Sequence, residues 1–260
     1  MSFIFEIISN TPDISIITFF ILCIVSLFTS AVSASFGLGG GSMLIAVLVN
    51  LLNPIAVIPI HAVIQLNSNF FRALIMWRHI QFNGMIPFFL GNLIGLSVGG
   101  QIAFNIPGYL LQGIIGIFIL YSIWGSGLNK ISNKSSKVSF LVCIITSFTT
   151  MFVGGTGALL GPYIKRITNE RRITVATHGA YMSLQHGIKI IIFGLLGFTF
   201  TPYILLIVFM IIFGMIGTWI GKYILNWMPE KSFSFGFNLI LVILAIGLIY
   251  EPIKYWISST

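Results

Sequence analysis

The stretch Ser35–Ser42 reads SFGLGGGS, and the later stretch Phe152–Gly157 reads FVGGTG. Each follows a long apolar segment and leads into a short one, Met43–Leu52 in the first case and Ala158–Ile167 in the second. A helix needs about 20 residues to cross a bilayer, so these short segments cannot span it. Glycine-rich backbone at membrane depth is tolerated only where protein or a water-filled cavity surrounds it. We therefore predict two re-entrant hairpins, each a long helix and a half-helix joined by a glycine loop, with close helix packing as the alternative role for the glycines.

The composition predicts an all-α polytopic membrane protein. Hydrophobic residues make up 57% of the 260 residues and charged residues only 7%, whereas charged residues form about a quarter of a soluble domain. The net charge of +8 comes from basic residues in short connections between apolar segments, so we expect a lipid bilayer and no nucleic acid as partner. About eight long helices and two short half-helices are expected. The long windows are Ile14–Phe36, Ile55–Trp77, Met85–Phe104, Tyr109–Leu128, Val138–Val153, Ile173–Leu196, Tyr203–Leu225 and Phe235–Ile249.

The two halves of the chain match each other in the order of their motifs. Each half has a glycine loop, then a histidine, a cation eleven residues later, a Gly-x-x-x-Gly pair and a proline. The Gly-x-x-x-Gly pairs alone are common where helices pack, but the whole ordered set indicates a duplication. We predict two transmembrane repeats, residues 1–130 and 131–260, which form one membrane domain. The matched residues are Phe36, Gly39, Gly41, Leu44, His61, Arg72, Gly95, Gly99 and Pro107, with Phe152, Gly155, Gly157, Leu160, His178, Lys189, Gly217, Gly221 and Pro229.

The basic residues predict how the repeats are oriented. Lysine and arginine concentrate in cytoplasmic loops, and here they cluster at the join between the halves and after the second half-helix. Counting crossings from these loops places both termini outside and turns one repeat upside down relative to the other. Inverted repeats with broken segments near the midplane are typical of alternating-access transporters. The orienting residues are Arg78, His79, Lys130, Lys134, Lys137, Lys165, Arg166, Arg171 and Arg172.

Two polar stripes within the apolar helices predict a binding site. His61, Gln65, Ser68 and Arg72 share one helix face, and the second helix repeats the spacing from His178 to Lys189. Cations, amide and hydroxyl donors, and half-helix N-termini all favour a small anionic substrate. Snorkelling of Arg72 and ordinary packing of the histidines are the alternatives. The candidate substrate-binding residues are Gly39, Gly40, Gly41, His61, Gln65, Asn67, Ser68, Asn69, Arg72, Gly155, Thr156, Gly157, His178, Tyr181, Gln185, His186 and Lys189.

Several classes of function are disfavoured by what the sequence lacks. No phosphate-binding loop is present, and we expect no cofactor, no metal site and no catalytic residues. Cys23 and Cys143 lie in apolar segments and are interpreted as packing residues. A hydrolase using Ser68 with His61 or Ser183 with His186 is a formal alternative without a supporting motif. A transporter that needs intramembrane carboxylates is disfavoured, because the acidic residues lie in termini or loops. These residues are Glu6, Asp13, Glu170, Glu230 and Glu251.

The two glycine stretches, Gly161-Pro162 after the second one, and the duplicated organisation resemble the sulfite exporter TauE/SafE family of membrane transporters. The resemblance implies transport of sulfur-containing anions, such as sulfite or organosulfonates, across the plasma membrane. The first loop continues as Ser42–Ile45 without the proline that relatives often carry there. A secondary transporter is therefore expected, with a passive anion channel as the alternative and a structural membrane subunit as a third possibility. A homodimer is left open.

Overall fold

The computed structural model describes a helical protein, and no strand occurs in the part of the chain that it covers. It describes residues 11–12, 14–36, 39–124, 135–168, 170–224 and 230–259. The predicted boundary at residue 130 lies outside these residues, as do Glu6, Asp13, Lys130 and Lys134. The described α-helices are Ile16–Phe36 (α1), Gly40–Leu51 (α2), Pro54–Ile75 (α3), Met85–Ala103 (α4), Gly108–Trp124 (α5), Ser136–Val153 (α6), Gly157–Ile167 (α7), Arg171–Leu195 (α8), Ile204–Ile224 (α9) and Glu230–Ser259 (α10).

The predicted long and short helices are present, and their ends have local causes. The two short helices α2 and α7 have 12 and 11 residues, so at 1.5 Å per residue each covers about half of the ~30 Å hydrocarbon core. Both follow a glycine with positive φ, 95° at Gly39 and 75° at Gly154. Such a backbone conformation strains other residues and lets the chain turn from a long helix into a short one. At the end of α2, Asn53 caps α3 by accepting a hydrogen bond from the Ile55 N–H, and Pro54 occupies the first helical position.

Within the described residues, four helical segments are long and apolar enough to cross a membrane, namely Ile16–Phe36, Pro54–Ile75, Met85–Ala103 and Thr201–Ile224. Shorter apolar helices are Gly40–Leu51, Gly108–Trp124 and Lys137–Val153. Although α8 has 25 residues, its polar stripe and two leading arginines reduce its hydropathy. The polar residues of α3 and α8 are mostly buried, while large apolar side chains on α1, α4 and α9 are exposed. Polar-inside and apolar-outside packing of this kind is what a bilayer requires.

Helices of the first half pack on helices of the second half in matched pairs. α1 lies along α9, and α4 lies along α6. α3 packs against α8 in the opposite direction, since Gly179 of α8 contacts Asn69 and Ala73 whereas Gly187 lies nearer Leu66. α5 and α10 are also antiparallel, with Gly113 against Pro252 and Gly116 against Ala245.

Glycines make the closest of these contacts. A Cβ on Gly217 or Gly221 of α9 would overlap the carbonyl oxygens of Leu27 and Ala31 on α1. On the other pair, Gly95 and Gly99 of α4 contact the carbonyl oxygens of Ile144 and Phe148 on α6, with Cβ distances of 2.5 and 2.8 Å. The contacted residues Leu27 and Ala31 lie 117 positions before Ile144 and Phe148. The Gly-x-x-x-Gly motifs therefore make equivalent helix contacts in the two halves.

Candidate functional site

A narrow cavity lies where the two glycine breaks meet α3 and α8. The space open to the centre of a water molecule is about 20 Å³, which is room for one or two waters. Both halves of the chain contribute to its walls, and none of the lining residues carries a carboxylate. The described lining residues are Ser33, Gly39, Gly41, Ser42, His61, Gln65, Asn69, Arg72, Gly155, Gly157, His178, Met182 and His186.

Two histidines contact the glycine breaks in the same way. His61 Nε2 lies 2.9 Å from the carbonyl oxygen of Gly41, and His178 Nε2 lies 3.3 Å from that of Gly157. Because a carbonyl oxygen can only accept, each bond places the imidazole proton on Nε2. The rings of His61 and His186 lie edge to face with centroids 5.7 Å apart, so imidazoles of both halves meet at the cavity.

Arg72 lies inside the protein and not at its surface. Only 1% of this residue is exposed, so the snorkelling explanation does not describe the structure. Its guanidinium donates to the carbonyl oxygen of Ser33 on α1, to Asn69 Oδ1 at 2.5 Å and to His178 Nδ1 at 3.4 Å. All three partners are neutral, and Nε has no hydrogen-bond partner. A buried guanidinium without a carboxylate is a strong potential site for an anion.

Lys189 is fully buried beside the second break. Its ammonium donates to the carbonyl oxygen of Thr150 at 3.3 Å, to Thr150 Oγ1 at 2.9 Å and to the carbonyl oxygen of Gly154. The separation between Lys189 and Thr150 is 39 residues, as it is between Arg72 and Ser33. Each cation therefore contacts the C-terminal end of the long helix that precedes the glycine break of its own half.

Other buried donors near the breaks also have no partner within the protein. They are the amide Nε2 atoms of Gln65 and Gln185, while His186 Nδ1 is likewise buried without a hydrogen bond. Leaving a buried polar group unsatisfied costs about 1–3 kcal/mol. Of these residues, Gln65 and His186 line the cavity. An acceptor on a ligand could satisfy Gln65 Nε2, whereas Arg72 Nε faces Gly179 of α8, on which a Cβ would lie 3.1 Å away.

Ten of the seventeen sequence-predicted residues line the cavity, and the other seven do not. Asn67 donates to the Ile211 carbonyl at 3.4 Å, and Ser68 Oγ lies 3.3 Å from Thr218 Oγ1, so both face α9. Tyr181 donates to the Asn83 carbonyl at 2.8 Å. The remaining four lie behind the cavity wall: Gly40 against Thr29 and Ser33, Thr156 bonded to Gln185, and Lys189 at Thr150.

Three lining residues were not among those predicted from the sequence. Ser33 lies two residues before the first glycine stretch, Ser42 is the last residue of that stretch, and Met182 lies one turn of α8 after His178. Ser33 lies 117 positions before Thr150, the same offset as between His61 and His178, so the matched order of the two halves contained a signal for it. Among the described residues, no cluster of three histidine, cysteine, aspartate or glutamate side chains could hold a metal ion.

Comparison with known proteins gives one match. A family model described as Sulfite exporter TauE/SafE matches residues 22–248. No curated protein and no solved structure matches. The matched segment includes both glycine stretches and every described residue that lines the cavity. Because the match covers most of the 260 residues, this protein belongs to the sulfite exporter TauE/SafE family of membrane transporters.

Proposed function

We propose that the protein is a secondary transporter of small sulfur-containing anions such as sulfite or organosulfonates, and that its substrate binds at the cavity between the two halves. The observation that carries the proposal is Arg72, a buried cation that lines the cavity and whose hydrogen-bond partners are all neutral. Gln65, which also lines the cavity, supplies an unpartnered amide donor, and the glycine breaks place half-helix N-termini nearby. Donors without carboxylates favour an anion over a cation.

Alternating access is the proposed mechanism, with the two halves as inverted repeats in the plasma membrane and both termini outside. Repeats of opposite topology require equivalent helices to run in opposite directions. The antiparallel pairs α3 with α8 and α5 with α10 support this arrangement. The equivalent glycine contacts of α9 on α1 and of α4 on α6 support it as well. In this mechanism the halves rock against each other around the cavity and expose it first to one side and then to the other.

A carrier is favoured over a passive channel because the cavity is too narrow for a hydrated anion in the conformation described. The test is sulfite flux in proteoliposomes that contain the purified protein, with protein-free liposomes as the control. A carrier gives a flux that saturates with sulfite concentration, and unlabelled sulfite on one side drives uphill movement of labelled sulfite from the other. A flux that stays linear with concentration and shows no counterflow would reject the carrier mechanism.

A further inference from the structure

We infer that Lys189 does not contact the transported anion and instead positions the second glycine break, so that the two buried cations have different roles. The inference rests on the proposed function, because the break that Lys189 holds forms one wall of the proposed anion site. It also revises the sequence-based prediction that both cations bind substrate.

Arg72 and Lys189 differ in how many of their N–H donors already have a partner within the protein. A lysine ammonium has three N–H donors, and at Lys189 three acceptors surround it: two atoms of Thr150 and the carbonyl oxygen of Gly154. A guanidinium has five donors, and at Arg72 the Nε donor has no partner. The Nε donor faces Gly179 of α8, but the three contacts of Arg72 use only one of the two Nη1 donors. Arg72 therefore keeps an Nη1 donor for an anion without releasing a protein partner, whereas Lys189 would have to give up a bond.

Arg72 and Lys189 also differ in where they lie relative to the cavity. Arg72 lines the cavity, while Lys189 is not among the described residues that do so. The ammonium lies against the last turn of α6, where carbonyl groups have no partner within the helix. A cation at a helix C-terminus satisfies these carbonyls and interacts favourably with the helix dipole. This is a structural role that needs no substrate.

Lys189 and its neighbour Gln185 on α8 together hold the part of the second break that lines the cavity. Gln185, one turn before Lys189, accepts a hydrogen bond of 2.9 Å from Thr156 Oγ1. Lys189 holds Gly154 and Gln185 holds Thr156, so two residues of one helix fix both neighbours of Gly155. Gly155 itself lines the cavity, and a Cβ on it would lie 3.2 Å from His61 Cε1. Lys189 thus sets the position of the cavity wall opposite His61.

Thr150 offers a matched pair of variants for the test. Its hydroxyl accepts from Lys189 and donates to the Gly154 carbonyl at 3.0 Å. Thr150→Val removes the hydroxyl at nearly constant volume, and Thr150→Ser keeps it. Sulfite affinity of the purified protein in detergent would be measured from the ligand-dependent rise in melting temperature. We expect Thr150→Val and Lys189→Met each to weaken sulfite binding about tenfold, with Thr150→Ser close to wild type.

A double-mutant cycle separates positioning from direct binding. If Lys189 acts through the break, Lys189→Met with Thr150→Val binds sulfite no more weakly than Lys189→Met alone, because both changes remove one interaction. If Lys189 were a direct ligand, Thr150→Val would free a donor, and sulfite affinity would stay unchanged or increase. That result, or strictly additive losses in the double variant, would overturn the inference.

The same double-mutant cycle can be measured without sulfite. It then tests whether Lys189 holds the second break even if no variant binds the anion. Melting temperatures of the four proteins in sulfite-free buffer should show non-additive losses, since the Lys189 and Thr150 contact exists without substrate. Additive melting shifts would contradict the positioning role. Absence of any sulfite-dependent shift in the wild type counts against the proposed function, and the sulfite-free cycle still decides whether Lys189 holds the break.

Discussion

Arg72 and Arg78 lie six residues apart and show what burial does to a charge. Arg78 is exposed and lies over the ring of Trp77, 5.5 Å from its centroid, whereas Arg72 is buried among neutral partners. Interaction between charges is much stronger in a buried site than in water. The same side chain should therefore matter greatly for anion transport at one position and little at the other.

Arg72→Met should lower sulfite affinity about 10- to 100-fold, because a charge-assisted hydrogen bond is worth about 1.5–3 kcal/mol. Arg72→Lys should also be impaired, since a lysine cannot reproduce the planar fork that reaches Ser33 and Asn69 together. Arg78→Gln is the control and should transport as wild type. Initial rates of sulfite flux in proteoliposomes across a concentration series give these values. Unchanged flux in Arg72→Met protein would remove the central support for the anion site.

His178 links the cation to the second break, since it accepts from Arg72 and donates to Gly157. His178→Leu should lower sulfite flux about tenfold, because it frees the Gly157 carbonyl and removes one partner of the guanidinium. His79→Gln, in the connection after α3, serves as the control and should leave flux unchanged. Flux of the two variants is compared at equal amounts of reconstituted protein. Equal flux in both variants would show that the histidine at the cavity has only a packing role.

At the residue scale, helical spacing predicted which side chains share a face but not which neighbour covers it. His61, Gln65 and Arg72 share a face and line the cavity, as their spacing indicates. Ser68 belongs to the same stripe, yet it meets Thr218 because α9 packs against this side of α3. The partners of Lys189 are chiefly backbone carbonyls at the end of a helix, and acceptors of that kind leave no pattern in the sequence.

Glycine positions show how individual helices are held together. Gly217 faces the backbone of α1, whereas a Cβ on Gly194 of α8 would meet nothing within 4 Å. In a membrane, close approach of helices depends on such small residues, because lipid tails remove the hydrophobic drive for association. The two positions therefore form a matched pair in which the same substitution has opposite effects.

Gly217→Ala should destabilise the protein by about 1–3 kcal/mol, because the added methyl group overlaps the Leu27 carbonyl and forces α9 away from α1. Gly194→Ala should be neutral or stabilise by up to about 1 kcal/mol, since alanine is the better helix former. Melting temperatures of the detergent-purified proteins check both values. A loss of stability in Gly194→Ala as large as that in Gly217→Ala would show that space at the helix contact is not the cause.

At the element scale, most of the fold could be predicted because length and hydropathy determine membrane helices. The expected windows correspond to described helices, with ends that differ by at most four residues except for the last helix. Its predicted window is Phe235–Ile249, whereas α10 runs from Glu230 to Ser259. The first half-helix begins at Gly40, three residues before the predicted window, because glycine is accepted in the first turn after the break. The sequence did not predict which helices pack together across the two halves, since apolar segments alike in composition do not specify their partners.

For the molecule as a whole, the charges of the loops predict how it is oriented in the membrane. The interior of the protein is the same in either orientation, so helix packing cannot select one. Loop charge can, because lysine and arginine are retained on the cytoplasmic side. Gln81, in the connection before α4, and Lys165, at the end of α7, belong to the side proposed to be cytoplasmic, whereas Asn105 and Thr199 belong to the opposite side.

Single cysteines at these four exposed positions test the orientation. The native cysteines Cys23 and Cys143 are buried and should remain unlabelled by a polar reagent. In intact cells a membrane-impermeant maleimide should label Asn105→Cys and Thr199→Cys, and it should label Gln81→Cys and Lys165→Cys only after permeabilisation. Labelling of one loop from each repeat is essential, because inverted repeats place loops at corresponding positions on opposite sides. The reverse labelling pattern would show that the protein has the opposite orientation in the membrane. Labelling of Asn105→Cys without Thr199→Cys would contradict the proposed topology itself.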